Sequence, residues 1–376
     1  MRSHATTASD ASLRAALDGL PAVDFPENLR AALAAGRRHL TILREVVALR
    51  RGPGKLTPQE YFYYRLWDPE LSREEKLRFV GKQAQNPMHF ACNAVGWHAA
   101  ADDKLLFQSA MAGAGLPVPP LRATVHPSRR IPNVPALADE TDVTGCLIDP
   151  VSYPFFAKPI DGKYSLGVFR ADGYDRASGQ IMMPGGGRSA IADCVRALLE
   201  HPTGYLLQRV LEPHPTIAAA GGDRLWSVRL LMLLSPAGPE IAQAVVKIPT
   251  GTNVADNFWR SGNLVAAVNP ETGVIERVVR GSGKDLAVDV DHPDTGVSLL
   301  GMTVPDWSMA VGLCARAAVM LPGIRTQSWD VALTNAGPVL LEVNWGGDLN
   351  LAQLAWGRGV LDERYWAHLR RCGYRL

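Results

Sequence analysis

Over the first hundred residues the apolar positions recur at helical intervals. Leu29, Leu33, Leu40, Leu43 and Val47 are spaced by three, four and seven, which predicts one apolar helical face, and Gly52-Pro53-Gly54 ends the run. Thr57-Pro58-Gln59-Glu60 then reads as a capping box: the Thr hydroxyl accepts from the amide three residues on, Pro takes the first helical position, and Glu reaches back. Ser72-Arg73-Glu74-Glu75 repeats the device, and Asn86-Pro87 marks the next expected break. Three or four short helices are thus predicted before residue 100. Asp103 is placed to cap a further helix through Ala112, which Gly113 and Gly115 close before the extended Leu116-Pro117-Val118-Pro119-Pro120.

Beyond residue 120 the pattern changes to short apolar runs bounded by turn residues. Strands are predicted over 153–158, 166–169, 204–210, 225–234, 241–248, 264–268, 327–334 and 339–344, with longer periodic helices over 191–200 and 308–320. There is no internal repeat and no heptad pattern. The expected fold class is α+β, a helical N-terminal region followed by a body in which strands dominate.

Composition narrows the possibilities. The 376 residues are 47% hydrophobic and 20% charged, enough for a sizeable core and, at about 150 residues per domain, for two or three domains. With 39 Lys and Arg against 37 Asp and Glu, the net charge of +2 argues for no nucleic-acid or anionic-membrane partner. The five cysteines (Cys92, Cys146, Cys194, Cys314 and Cys372) include no C-x-x-C pair, so neither a disulfide framework nor a zinc site is expected, and they read as buried or inert thiols. Residues 1–20 contain no apolar signal core, and the run from Leu230 to Leu234 is far shorter than a membrane span. A soluble cytoplasmic protein is expected, with a homodimer left open.

The strongest local chemistry is a lysine at the end of an apolar strand followed by a glycine loop, Phe156-Ala157-Lys158-Pro159 through Asp161-Gly162-Lys163-Tyr164-Ser165-Leu166-Gly167. Glycines let backbone amides approach phosphate oxygens and the lysine adds a fixed charge; a plain hairpin with a surface lysine fits the same residues. Arg280-Gly281-Ser282-Gly283-Lys284-Asp285 looks like a P-loop tail but has Val278 and Asp285 where Gly and Ser or Thr are required, so it is rejected. Met183 to Ser189 is glycine-rich and reads as a flexible connection ahead of a helix, or as an anion site at its start.

Near the C-terminus, 328–334 and 339–344 read as two strands joined by a turn at Asn335-Ala336-Gly337-Pro338. Residue numbers summing to about 672 then face each other, which sets Asp330 opposite Glu342, with Asn344 on the same face. Such converging oxygens suit Mg²⁺; a solvated hairpin face is the alternative, and the apolar neighbours Val331, Leu333, Leu340 and Val343 favour burial and hence a cation. Arg229 and Lys247 end up in strands between these two elements, and Gly251 to Asn263 forms a long polar loop suited to binding.

In order and spacing, Asp103-Lys104, Gly115 to Pro119, Phe156 to Pro159, Gln208 to His214, Ser227-Val228-Arg229, Asp256-Asn257-Phe258, Trp329-Asp330-Val331 and Leu341 to Asn344 resemble the ATP-grasp superfamily, most closely its sugar-transfer-associated group. The resemblance runs over roughly residues 100–350. It implies ATP held between two α+β lobes: a helical region over 1–100, a small lobe and linker over 101–212, and a large lobe with the metal site over 213–376. Lys104 and Lys158 would contact the phosphates under a closing loop that includes Gly162, Lys163, Ser165 and Gly167. Gln208, Arg209 and Val210 would meet adenine, and Glu212 or His214 the ribose. Asp330, Glu342 and Asn344 match Mg²⁺ ligands, Arg229 the cation that stabilises transferred phosphoryl, and Lys247 a position where the group often has Arg. Asp256, Asn257 and Asn263 would face the substrate. Many ATP-grasp ligases begin with a Rossmann-like domain, whereas residues 1–100 here read as helices.

The implied activity is a carboxylate–amine ligase that passes the γ-phosphoryl group of ATP to a carboxylate and joins the acylphosphate to an amine, both small molecules. Phosphorylation of a sugar or polyol hydroxyl, and a non-catalytic ATP-binding regulatory role, are the alternatives.

Overall fold

A computed structural model describes residues 23–162, 166–253, 256–258 and 260–375. The N-terminal region comprises α1 (Phe25–Ala34), α2 (His39–Arg51), α3 (Pro58–Tyr63), α4 (Arg73–Leu77), α5 (Lys82–Cys92) and α6 (Ala99–Asp102), and α7 (Lys104–Gly113) opens the small lobe, where Leu105 packs on Ile160 and Leu206. Both capping boxes form at Thr57 and Ser72, and Asp103 caps α7 through the Leu106 amide. Pro87 does not break the chain: it lies inside α5, where it forfeits one backbone bond while Ala84, Met88 and Cys92 bury one side of the helix.

The expected face of α2 is also corrected. Leu40, Leu43 and Val47 are exposed, and the helix instead buries Ile42 and Leu49. The reason is Glu45, which shares the Ile42–Leu49 side and accepts from Tyr61 Oη at 2.6 Å, Lys76 Nζ at 3.0 Å and Arg37 Nη2 at 2.5 Å. A carboxylate with three donors fixes the helix rotation, because turning the leucines inward would strip it of them.

The small lobe contains β1 (Leu121–Val125), β2 (Ala136–Leu137), α8 (Glu140–Ile148), β3 (Phe155–Pro159), β4 (Phe169–Ala171), β5 (Gly173–Asp175), β6 (Gln180–Met182), β7 (Arg188–Ala190), α9 (Ile191–Glu200) and β8 (Tyr205–Arg209). One sheet has the order β2-β1-β8-β3-β4, and β5-β6-β7 form a second. The Met183–Ser189 glycines are therefore neither a free connection nor a helix start. They turn β6 into β7, with Gly185 and Gly186 at φ 69° and 80°.

The large lobe follows as α10 (Pro215–Gly221), β9 (Ser227–Ser235), β10 (Gly238–Ile248), β11 (Leu264–Val268), β12 (Ile275–Arg280), β13 (Ala287–Val288), α11 (Trp307–Ala318), β14 (Thr326–Thr334), β15 (Gly337–Asn344), α12 (Leu349–Trp356) and α13 (Glu363–Arg371). Its seven strands run β13-β12-β11-β10-β9-β14-β15. Alternation divides their side chains. Val228, Leu230, Val246, Trp329 and Val331 pack with α11, while Val245, Val265, Ala267 and Val279 meet α12 and the aromatic cluster Tyr61 to Tyr64. The helical region thus covers one face of the sheet. The rejected P-loop lookalike serves this docking: the Lys284 amide donates to Asn28 Oδ1 at 2.7 Å, and a Cβ on Gly283 would sit 2.5 Å from that oxygen.

Candidate active site

Three adjacent strands gather the charged residues. Arg229 lies opposite Asp330 in the β9–β14 register, and Lys247 of β10 is one diagonal away, all on the face turned from α11. Arg229 grips Asp330 with two parallel bonds, Nε to Oδ1 and Nη2 to Oδ2, each 2.7 Å, and Lys247 Nζ adds a third at 3.0 Å. Lys247 also lies 3.3 Å from Asp256, which accepts from the Ser227 hydroxyl. Burial pushes the Asp330 carboxyl upward, but Arg229 and Lys247 outweigh it and hold the group well below the carboxylate range. Against burial, Asp330 raises Arg229 above its ordinary value, and Asp256 followed by Asp330 raises Lys247.

Asp330 faces Glu342 as the strand arithmetic predicts, through a detail it did not contain. From Val331 to Thr334 the pairs sum to 671, as a two-residue turn requires, so Asp330 would meet Leu341; a bulge there restores 672 and brings in Glu342. The displaced carbonyl of Leu341 accepts from Lys158 Nζ at 3.4 Å. Glu342 Oε2 lies 3.7 Å from Lys104 Nζ, which also donates to the Gly162 carbonyl. Both small-lobe lysines therefore reach the hairpin of the large lobe. Burial lowers Lys158 to about 8, with Glu342 opposing the shift.

Asn344 Nδ2 is 3.4 Å from Glu342 Oε1, so its amide adjoins that carboxylate. A carboxylate offers roughly four lone-pair positions and Asp330 uses three on side-chain donors, leaving one, to which Glu342 and Asn344 add theirs. This donor set fits Mg²⁺, which takes few protein oxygens and keeps the rest for water and phosphate.

Other expected residues are distributed around this centre. Gly167 has φ 71°, and a Cβ there would come 2.9 Å from the Tyr205 hydroxyl, which donates to the Gly167 carbonyl at 3.0 Å. Lys163 and Ser165 lie outside the described residues. Gln208 donates to Gln108 Oε1 of α7 at 2.7 Å, Arg209 is exposed with its amide on the Pro120 carbonyl, and Val210 is half-buried. Glu212 and His214 run beside the hairpin turn: Asn335 Nδ2 donates to Glu212 Oε2 at 2.6 Å, and the His214 amide to the Leu333 carbonyl at 3.0 Å. Asn335 lies five positions along the chain from Asp330, about 17 Å, so the structure does not gather Glu212 and His214 at the Asp330 cluster. In the loop, Asn263 accepts from the Thr250 amide at 2.9 Å and donates to the Asn257 carbonyl at 2.8 Å, which makes it an internal pin.

Sequence reasoning passed over Asp348. Its carboxylate caps α12, meets Lys82 Nζ at 3.1 Å and is held below its ordinary value, burial being outweighed by Lys82 and Arg229. Next to it Trp345 stacks on His98 at 3.6 Å and donates to Asp102 at 3.1 Å. The signal available was position: Trp345-Gly346-Gly347-Asp348 directly follows Asn344.

Two α+β lobes, with lysines of one meeting the acid-bearing hairpin of the other, form an ATP-grasp fold. The chain belongs to the sugar-transfer-associated ATP-grasp family, whose model matches residues 91–366. No curated protein matches it significantly. Solved structures similar to it include an L-amino acid ligase from Bacillus licheniformis, at 13% identity and TM-score 0.35, covering 68% of this chain and 42% of that one. An ADP complex of N5-carboxyaminoimidazole ribonucleotide synthetase matches at 12% identity and TM-score 0.37, covering 67% and 46%. D-Alanine-D-alanine ligase from Helicobacter pylori matches at 10% and 0.40, covering 74% and 61%. The chain spans about half the length of these structures. No helix among the described residues is long and apolar enough to cross a membrane.

Proposed function

We propose that the protein is an ATP-dependent carboxylate–amine ligase, releasing ADP and phosphate through an acylphosphate. The observation that carries this reading is the convergence of Lys104 and Lys158 on Glu342 and the Leu341 carbonyl, beside the Arg229–Asp330–Lys247 cluster. In this reading the linker from Gln208 to His214 holds the nucleoside and the two lysines hold the phosphates, with the glycine loop over them. Asp330, Glu342 and Asn344 would hold Mg²⁺, which when bound neutralises charge between the β- and γ-phosphates.

The guanidinium of Arg229 has five N–H donors and Asp330 takes two, so three remain for transferring phosphoryl oxygens. Asp330 orients that plane and Lys247 shares its charge, which leaves the cation fixed before reaction. No side chain acts as a nucleophile. The chain would position the carboxylate and the amine, with Asp256, 3.3 Å from Lys247, and Asn257, whose carbonyl accepts from Asn263, facing the substrate in this reading.

The test is product analysis. Protein incubated with Mg-ATP and pooled carboxylates and amines should release ADP and phosphate only when both co-substrates are present. Release of AMP would sink the acylphosphate scheme, and a stable phosphorylated product formed without amine would replace ligation by hydroxyl phosphorylation.

A further inference from the structure

All five cysteines are free and Cys92, Cys194 and Cys314 are buried as expected, but folding brings two of the scattered thiols together. Cys92 ends α5, His368 lies in the last turn of α13 and Cys372 caps that helix, and one ligand atom from each falls within 4.8 Å of the others. Cys92 is 2% exposed and His368 1%, so two of the three are shut from water, while Cys372 is half-buried and leaves an approach from the surface. We infer that Cys92, His368 and Cys372 form a binding site for a thiophilic d¹⁰ cation, with Zn²⁺ the reference ion, joining the end of α5 to the end of α13.

The spacing fits such an ion. Metal–N and metal–S bonds of about 2.0 and 2.3 Å in a tetrahedral centre put nitrogen and sulfur about 3.5 Å apart. His368 Nε2 and Cys372 Sγ are 3.5 Å apart. The buried Thr326 hydroxyl is hydrogen-bonded to the same Nε2 at 3.0 Å, and a cation bound there would replace that bond.

The cluster also holds more polar capacity than the protein satisfies. The Tyr365 hydroxyl, buried beside Cys92 in the same cluster, has no hydrogen-bond partner among the described residues. The surrounding field favours a cation too, because the carbonyl ends of both helices meet here. Arg325 already answers part of that demand, donating to the Cys92 carbonyl at 3.2 Å, to Ala91 at 3.3 Å and to Cys372 at 3.2 Å. Two cysteine thiolates with one imidazole select a soft metal over Mg²⁺, which prefers oxygen. Binding releases the thiol protons and reduces no group, so no oxidant enters.

The consequence is structural. The opposite end of α5 carries Lys82, paired with Asp348, and Thr326 begins the strand that bears Asp330. A cation between α5 and α13 would clamp the helical region to the sheet of the proposed active site without touching the nucleotide.

The experiment uses the full chain. Elemental analysis after purification with Zn²⁺ and reductant should give one zinc per chain. Replacement by Co²⁺ should produce a thiolate-to-cobalt charge-transfer band, a readout needing neither substitution nor turnover. Cys372→Ser should weaken that band, Cys92 being the one thiolate left, and weaken zinc in chelator competition by more than the roughly 10–100-fold that loss of a group outside a ligand set costs. Cys146→Ser should leave both unchanged. Substoichiometric zinc, absence of the cobalt band in the unsubstituted chain, or zinc affinity unaltered by Cys372→Ser would each overturn the assignment. So would a Cys92–Cys372 disulfide that persists in the zinc-loaded, reduced protein.

Discussion

Lys158 offers a sharp test of the proposed phosphate site, because its charge is already compromised in the free protein. Burial draws it from 10.5 to about 8. A triphosphate beside the ammonium would restore the charged form and return the pKa at least to the ordinary value. Below about 8 the lysine is charged in both states and pH has little effect. Between about 8 and 10.5 binding must take up a proton, and affinity falls as pH rises. The interval is about 2.5 units, which at ~1.36 kcal/mol per unit amounts to about 3.4 kcal/mol, or about 300-fold in Kd. The assay is isothermal titration of a non-hydrolysable ATP analogue from about pH 7 to pH 10, in buffers of different ionisation enthalpy so that proton uptake is read directly. Lys158→Arg, whose charge stays fixed across this range, should flatten the profile. For the free protein the sign reverses: the unfolded chain binds more protons above about 8, so this residue's penalty on folding is relieved as pH rises. A Kd that does not change with pH, or an unchanged slope in Lys158→Arg, would refute a phosphate contact at this lysine.

Three further outcomes follow from the geometry. Glu342→Gln should raise the Mg²⁺ concentration needed for half-maximal turnover at least tenfold while shifting stability within about 0.5 kcal/mol, measured by Mg²⁺ titration and urea unfolding. Gly167→Ala places a side chain at φ 71° against the Tyr205 hydroxyl and should cost about 1–2 kcal/mol in a thermal melt, with weaker nucleotide binding by titration. Glu45→Gln should cost roughly 1.5–3 kcal/mol in urea unfolding. Burial works against the Glu45 carboxylate but its bonds from Tyr61, Lys76 and Arg37 prevail and hold it below 4.5, so its contribution is complete above that value and lost as pH falls through the lower folded one.

The sequence was most readable where the structure is locally determined. The apolar runs placed Arg229, Lys247 and Asp330 in strands, which form as β9, β10 and β14, and the caps at Thr57, Ser72 and Asp103 form from residues three positions apart. It was least readable where a distant partner decides. The outer leucines of α2 look as apolar as Ile42 and Leu49, and only Tyr61, Lys76 and Arg37 around Glu45 select the buried side. Asp330 shows the same limit: burial implied a cation, and two of its cations come from neighbouring strands. Cys92 has nothing near it in the chain to announce His368 and Cys372.

The extra residue at Leu341 carries a parity rule. Side chains alternate along β15, so an odd insertion between Asp330 and Glu342 turns the acid toward the Trp329 side of the sheet unless a second bulge compensates, whereas loss of Leu341 removes the bulge and leaves the acid opposite Asp330. Even changes at the Asn335-Ala336 turn leave the acid where it is. Length gained in this hairpin is therefore expected in steps of two, and a single insertion beside Leu341 should be more damaging than the loss of Leu341 itself.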